Sequence, residues 1–185
     1  MRVISGIARG VSLFSPHGIK TRPTTDFVKE NLFNIIRDDV HGANFLDLFS
    51  GTGAIGIEAL SRGAASATFV DISQKCVDLT LRNLEKTRLK EAATVIKGDI
   101  FLVTKKLMGQ KFDIIFIDPP YFEDFAEKAL SDICEKDILE ESGYIILEMS
   151  KTVNIPRIYG LAVFKEREYS NTKVVFLDKV RKETL

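Results

Sequence analysis

Cysteine is scarce and placed without pattern: Cys76 and Cys134 have no neighbouring partner and no metal-ligand spacing. That excludes a disulfide scaffold and a thiolate metal centre, and reads as reduced thiols in a reducing compartment. No apolar run approaches the roughly 20 residues that span a bilayer. The opening Met1-Arg-Val-Ile-Ser-Gly lacks the apolar core of a secretory signal. A cytoplasmic protein, with no membrane and no metal, is expected. Internal repeats, low-complexity stretches and long linkers are also missing, so the 185 residues point to one domain with a short appendage.

Net charge is lacking too, with 26 basic and 26 acidic residues, but the two signs are segregated. Residues 1–25 carry Arg2, Arg9, Lys20 and Arg22 and no acid, and residues 151–185 carry eight basic side chains against four acidic ones. Between them lie 14 basic and 22 acidic residues. Basic ends around an acidic middle suit a phosphate-binding rim beside a cofactor domain.

The apolar pattern supplies the architecture. Arg2–Ile7 and Gly10–Phe14 read as two short strands joined near Ala8-Arg9. Thr24 or Thr25 is positioned to cap a helix from about Asp26 to Arg37 with one apolar face. After Gly42, strands alternate with helices: strands at Phe45–Phe49, Ala67–Asp71, Thr94–Lys97, Phe112–Ile117 and Tyr144–Glu148. Helices follow at about Glu58–Arg62, Ser73 (as cap) to Thr87, Leu102–Leu107 and Asp124–Glu135. Such alternation means a mostly parallel sheet with helices on both faces. The ending differs. Val163–Tyr169 and Lys173–Leu177 are separated only by Ser170-Asn-Thr, too little for a crossover, so they form an antiparallel hairpin at one edge.

Two motifs carry chemistry. Asp47-Leu-Phe49-Ser-Gly51-Thr52-Gly53-Ala-Ile-Gly56 follows a strand and opens a helix, so its backbone can approach a ligand held at helix N–H groups. Asp71, ending the second strand beside Ile72, is placed to accept hydrogen bonds from ribose hydroxyls. A nicotinamide dinucleotide fits the same glycine pattern, but Asp47 would repel its pyrophosphate and instead suits the cationic amino acid end of S-adenosylmethionine. Asp118-Pro119-Pro120-Tyr121, at the end of the fourth strand, fixes the choice. The prolines make a rigid turn that presents carbonyls. The Asp118 carboxylate and the Pro119 carbonyl can each accept one hydrogen of an exocyclic base amine, and Tyr121 can stack on a flipped base. Asp99-Ile100, after the third strand, reads as the adenine-edge contact, with a helix cap as the structural alternative. The expected activity is S-adenosylmethionine-dependent methylation of an amino group. The open alternatives are adenine N6 in DNA or RNA, a protein glutamine amide, a dehydrogenase, and a non-catalytic RNA-binding assembly factor.

Arg2–Gly10, Thr21-Arg-Pro-Thr-Thr–Asn34, Asp47–Ala64 (ending Leu-Ser-Arg-Gly-Ala) and Phe116–Tyr121 resemble the bacterial RsmD family over nearly the whole chain. That resemblance implies a class I, Rossmann-like α/β methyltransferase with a seven-stranded sheet and a C-terminal antiparallel hairpin, preceded by an N-terminal β-hairpin that recognises substrate. The corresponding division is residues 1–20 for the hairpin extension and 21–185 for the methyltransferase domain. It implies action on the N2 amino group of one guanine in 16S rRNA, within the assembled or assembling small ribosomal subunit; nothing in the sequence demands more than a monomer. By position, Thr24 lies beside the cofactor, and Arg2, Arg9 and Arg22 are RNA contacts, with pairing to a helix acid the equal alternative for Arg22. The chain departs from the family at Tyr169-Ser-Asn-Thr-Lys, where Tyr-Gly-Lys-Thr is usual, and at Asp71-Ile-Ser, where a glutamate-based ending is commoner.

Overall fold

The computed structural model describes residues 1–15, 23–119 and 125–180. Its elements are α1 (Pro23–Ile35), β1 (Asn44–Leu48), α2 (Ala54–Ser61), β2 (Ser66–Asp71), α3 (Gln74–Thr87), β3 (Ala93–Lys97), α4 (Ile100–Lys106), β4 (Phe112–Ile117), α5 (Phe125–Lys136), β5 (Leu139–Ser150), β6 (Leu161–Glu168) and β7 (Thr172–Lys179). The seven strands form one sheet in the order β3-β2-β1-β4-β5-β7-β6. The first five are parallel, and the central strand β4 is apolar but for Asp113, as a strand covered on both faces must be. β7 runs antiparallel between β5 and β6, so the C-terminal hairpin sits at the edge as its three-residue turn requires.

Alternate residues of the central strands feed two cores. Phe45, Ile114, Phe116 and Ile146 face the side covered by α1 and α2. Leu46, Leu48, Ile115, Ile117 and Leu147 face the side of α4 and α5. The strand order reverses between β1 and β4, which opens a crevice beyond their carboxyl ends.

Three expectations are corrected or refined. α1 begins at Pro23, so Thr24 and Thr25 lie inside the helix rather than capping it; proline is tolerated in a first turn because its missing N–H would be unpaired there anyway. Ser73 does take the N-cap position of α3, but without a side-chain cap bond. The N-terminal pair of strands reduces to one antiparallel bridge, Arg2–Ser12. Around it Val3 N–H donates to the Val11 carbonyl, Leu13 N–H to the Met1 carbonyl and Gly10 N–H to the Val3 carbonyl.

That N-terminal segment is nevertheless firmly seated. Val3, Ala8 and Leu13 are buried in the same core as α1 and α2. Glu58 of α2, fully buried, accepts the N–H groups of Ile4 (2.7 Å) and Ser5 (3.0 Å). It also pairs with Arg62 at 2.8 Å and with buried Lys29 of α1 at 3.5 Å. Lys29 Nζ donates to the Arg2 carbonyl at 2.6 Å. Burial pulls the Lys29 ammonium below the usual lysine range, and Glu58 is the largest influence pulling it back. Ser61 Oγ accepts from Ala8 N–H and donates to the Ser5 carbonyl. The segment lies so close to α2 that a Cβ on Gly6 would stand 1.7 Å from the Ser61 carbonyl oxygen. The Leu-Ser-Arg-Gly-Ala ending thus has a structural task, holding the N-terminal segment against the domain.

Candidate active site

A cleft of about 320 Å³ opens at the crevice between β1 and β4. Asp47, Phe49, Ser50, Gly51 and Thr52 line one wall, Phe116 and Asp118 the next, and Glu148 and Thr172 the third, while Val28, Lys29 and Leu32 of α1 and Met1 roof it. The glycine loop and Asp118, the first residue of the tetrad, therefore line one cleft.

The loop leaves β1 through Phe49 (φ 68°), continues through Gly51 (φ 55°), and enters α2 at Gly53 (φ 73°). Phe49 is held in this unusual conformation by edge contact with Phe125, centroids 5.6 Å apart. The loop is braced from α3: Thr80 Oγ1 donates to the Gly51 carbonyl and Asn83 Nδ2 to the Thr52 carbonyl. Gly56 has a packing reason rather than a ligand one. A Cβ there would lie 2.3 Å from Cε1 of Phe69, so only glycine lets α2 rest on β2.

Asp47 is buried beneath the loop, and its Oδ2 accepts the Gly56 N–H at 3.1 Å. Burial, and secondarily Asp118 and Asp71, pushes its carboxyl up to about 8, against the single amide bond that favours the charge. Asp118 opens to the cleft, but the surrounding walls limit its hydration and raise it to about 6. Asp71 has both oxygens engaged: Oδ2 accepts Gly51 N–H at 2.9 Å, and Oδ1 accepts Ser73 N–H at 2.8 Å. Its first role is to tie β2 to the loop, with only its remaining lone pairs available to a ribose. Ile72 beside it is exposed. Asp99 caps α4, accepting Phe101 N–H at 2.9 Å, so the structural alternative describes its bonding here, with Ile100 buried behind it. Arg2 and Arg9 are exposed on the N-terminal segment. Pro120, Tyr121 and Arg22, and the side chain of Thr24, lie outside the described residues.

The donor set fits a cationic nucleoside. Ser50 Oγ is buried, lines the cleft and finds no hydrogen-bond partner among the described residues. Asp47, Asp118 and Glu148, three carboxyls with no ion-pair partner among the described residues, line the same cleft, and its cation Lys29 is already paired with Glu58.

Sequence reasoning missed Glu148, which ends the apolar run of β5 and reaches the cleft. Burial, and then Asp118, raise its carboxyl to about 7. It missed the Glu58–Lys29–Arg62 cluster as well. A signal for that cluster existed, since α2 is apolar around its whole circumference and its lone acid had to be buried.

Fold, switch-point cleft and terminal hairpin together define a class I S-adenosylmethionine-dependent methyltransferase. The chain belongs to the family described as conserved hypothetical protein 95, the RsmD family, whose sequence profile matches residues 1–178. It is 41% identical over 184 residues to the Bacillus subtilis protein YlbH, covering 97% of this chain and 99% of that one. It is 36% identical to the ribosomal RNA small subunit methyltransferase D of Haemophilus influenzae, covering 82% and 79%. The solved structure of Escherichia coli yhhF superposes with a TM-score of 0.87 at 28% identity, covering 97% of both chains. Among the described residues no helix is long and apolar enough to cross a membrane.

Proposed function

We propose that this chain transfers a methyl group from S-adenosylmethionine to the exocyclic N2 amino group of a guanine in 16S rRNA of the small ribosomal subunit. The observation that carries this reading is the meeting of Asp118 with Asp47 and the glycine loop in one cleft. The curated relatives named ribosomal RNA small subunit methyltransferase D support the RNA target.

Asp47, Ser50, the loop from Gly51 to Gly53, Asp71, Ile72, Asp99, Ile100 and Thr24 are the residues that would hold the cofactor. When bound there, S-adenosylmethionine supplies an electrophilic methyl carbon on a sulfonium. The chain supplies position and charge. A base amine is a poor nucleophile because its lone pair is delocalised into the ring. Asp118 and the Pro119 carbonyl each accept one amine hydrogen, which fixes the nitrogen's orientation and favours the positive charge that develops on it. With its carboxyl near 6, Asp118 is ionised above neutrality and can take the departing proton on a carboxylate oxygen. Pro120 and Tyr121 complete the substrate-binding motif, Tyr121 as the residue that would stack on the base. Arg2, Arg9 and Arg22 supply phosphate contacts, and the N-terminal segment is the RNA-facing extension of the 21–185 domain, working as a monomer in the cytoplasm.

The test is radiolabelled methyl transfer to small subunits from cells lacking this protein, followed by nucleoside mass spectrometry. N2-methylguanosine is expected, and Asp118→Ala abolishes it while cofactor affinity stays within a few-fold. Recovery of N6-methyladenosine, or full turnover by Asp118→Ala, overturns the assignment.

A further inference from the structure

Glu148 has no part in the chemistry above, yet its placement is specific. In the parallel pairing of β4 with β5, Ile117 stands opposite Leu147, so Asp118 and Glu148 are the next pair outward. Adjacent strands lie about 4.8 Å apart. Ile117 and Leu147 face the α4–α5 core, and Phe116 and Ile146 the opposite one. By that alternation Asp118 and Glu148 leave the sheet together on the α1 side, where both line the cleft. Neither has an ion-pair partner among the described residues: burial and mutual repulsion are what act on Glu148. Lys29, the cation in the same cleft, is already held by Glu58 and the Arg2 carbonyl. The unpartnered Ser50 Oγ marks the same cleft as built for a ligand.

Two acceptors side by side call for two donors side by side. The bases that carry an exocyclic amine differ in this respect. Guanine has a ring N–H (N1) next to its N2 amine. In adenine and cytosine the ring nitrogen next to the amine is a bare acceptor, which a carboxylate repels. A glutamine amide has no ring nitrogen at all.

Resting on the function proposed above, we infer that Glu148 accepts the guanine N1–H while Asp118 holds N2, so that Glu148 selects guanine among amine-bearing bases. Tyr169 lies near enough for Glu148 to influence its phenol, and it packs edge-on against exposed Phe27 at 6.2 Å. Glu148 is a specificity residue, and Asp118 keeps the reacting nitrogen.

The analogue 2,6-diaminopurine tests this, because it keeps the N2 amine but has a bare N1. Small subunits are reconstituted with 16S rRNA carrying either guanine or 2,6-diaminopurine at the position that the wild-type protein methylates. Rates are read with tritiated S-adenosylmethionine at pH 8, above the Glu148 range. Losing a hydrogen bond to a charged group predicts that wild type prefers guanine by roughly 10- to 150-fold in kcat/KM. In Glu148→Gln that preference should collapse to within a few-fold, since the amide can accept from N1–H or donate to bare N1. A merely structural role would slow both substrates equally and leave the ratio intact. Equal rates on the two substrates with wild type, or an unchanged ratio in Glu148→Gln, overturns the inference while N2 methylation stands. If wild type yields only N6-methyladenosine, the proposed function and this inference both fall.

Discussion

Replacing Asp47 by asparagine removes one ionisable carboxyl from beneath the glycine loop and little else, because the amide oxygen can still accept the Gly56 N–H. Burial raises the Asp47 carboxyl from an ordinary 3.8 to about 8 in the folded chain. A carboxyl whose folded pKa lies above its unfolded one contributes its full stability below the unfolded value. That contribution is lost as pH rises through the folded value. Between pH 4 and pH 8 the unfolded chain therefore carries this group ionised and the folded chain carries it protonated. Each pH unit in that window costs the wild-type protein about 1.4 kcal/mol relative to the variant. In a domain of this size 1 kcal/mol moves Tm by about 2–4 °C, so Asp47→Asn gains about 3–6 °C on wild type per pH unit.

Thermal melts of both proteins without cofactor, at half-unit steps from pH 5.5 to 8.5, read the effect directly. Asp118 and Glu148 titrate in the same range but are present in both proteins, so they largely cancel in the difference. The gap should widen steadily to near pH 8 and then level off. Parallel curves over the whole range would refute the reasoning, since they would mean that Asp47 is ionised in the folded state throughout. The variant should at the same time bind S-adenosylmethionine more weakly, the usual exchange of stability for function at a binding site.

S-adenosylmethionine binding to wild type at pH 7 should release close to one proton, because a cationic ligand favours the ionised form of Asp47. Titration calorimetry in buffers of different ionisation enthalpy reads the number, and Asp47→Asn should release almost none. Glu58→Ala strands the buried Lys29 cation and frees the Ile4 and Ser5 amides, which should cost about 3–5 kcal/mol in urea unfolding. It should also expose residues 1–15 to limited proteolysis. Gly56→Ala should cost about 1–3 kcal/mol by overpacking against Phe69, and Phe69→Leu should recover part of it in the double variant.

The central parallel strands were legible because burial on both faces leaves apolar runs such as Ile114–Ile117. The terminal hairpin followed from the brevity of Ser170-Asn-Thr. The site divided differently. Asp47 and Asp118 announced themselves through local motifs, whereas Glu148 acquires meaning only when β5 pairs with β4 in one particular register. Register is a relation between distant segments, and no window around Glu148 contains it. Asp71 and Asp99 were visible as acids at strand ends, but the same position lets each serve the adjacent turn. The structure has Asp71 tying the loop and Asp99 capping a helix, bonds that a ligand would have to share.

The N-terminal segment alters how the cleft itself is understood. Its amides are bound by Glu58, Glu58 is paired with Lys29, and Lys29 forms part of the cleft's α1 wall beside Met1. On the other side, Asn83 holds both the N–H and the carbonyl of Phe14 while donating to the Thr52 carbonyl in the glycine loop. The segment thus touches the glycine loop through α3 and the α1 wall of the cleft through Lys29. A side chain with three such bonds works as a strut, because releasing Phe14 also releases Thr52. Asn83→Ala should therefore raise KM for small subunits and weaken S-adenosylmethionine binding together, although Asn83 is absent from the cleft lining. A change in only one of the two would show that segment and loop are held independently.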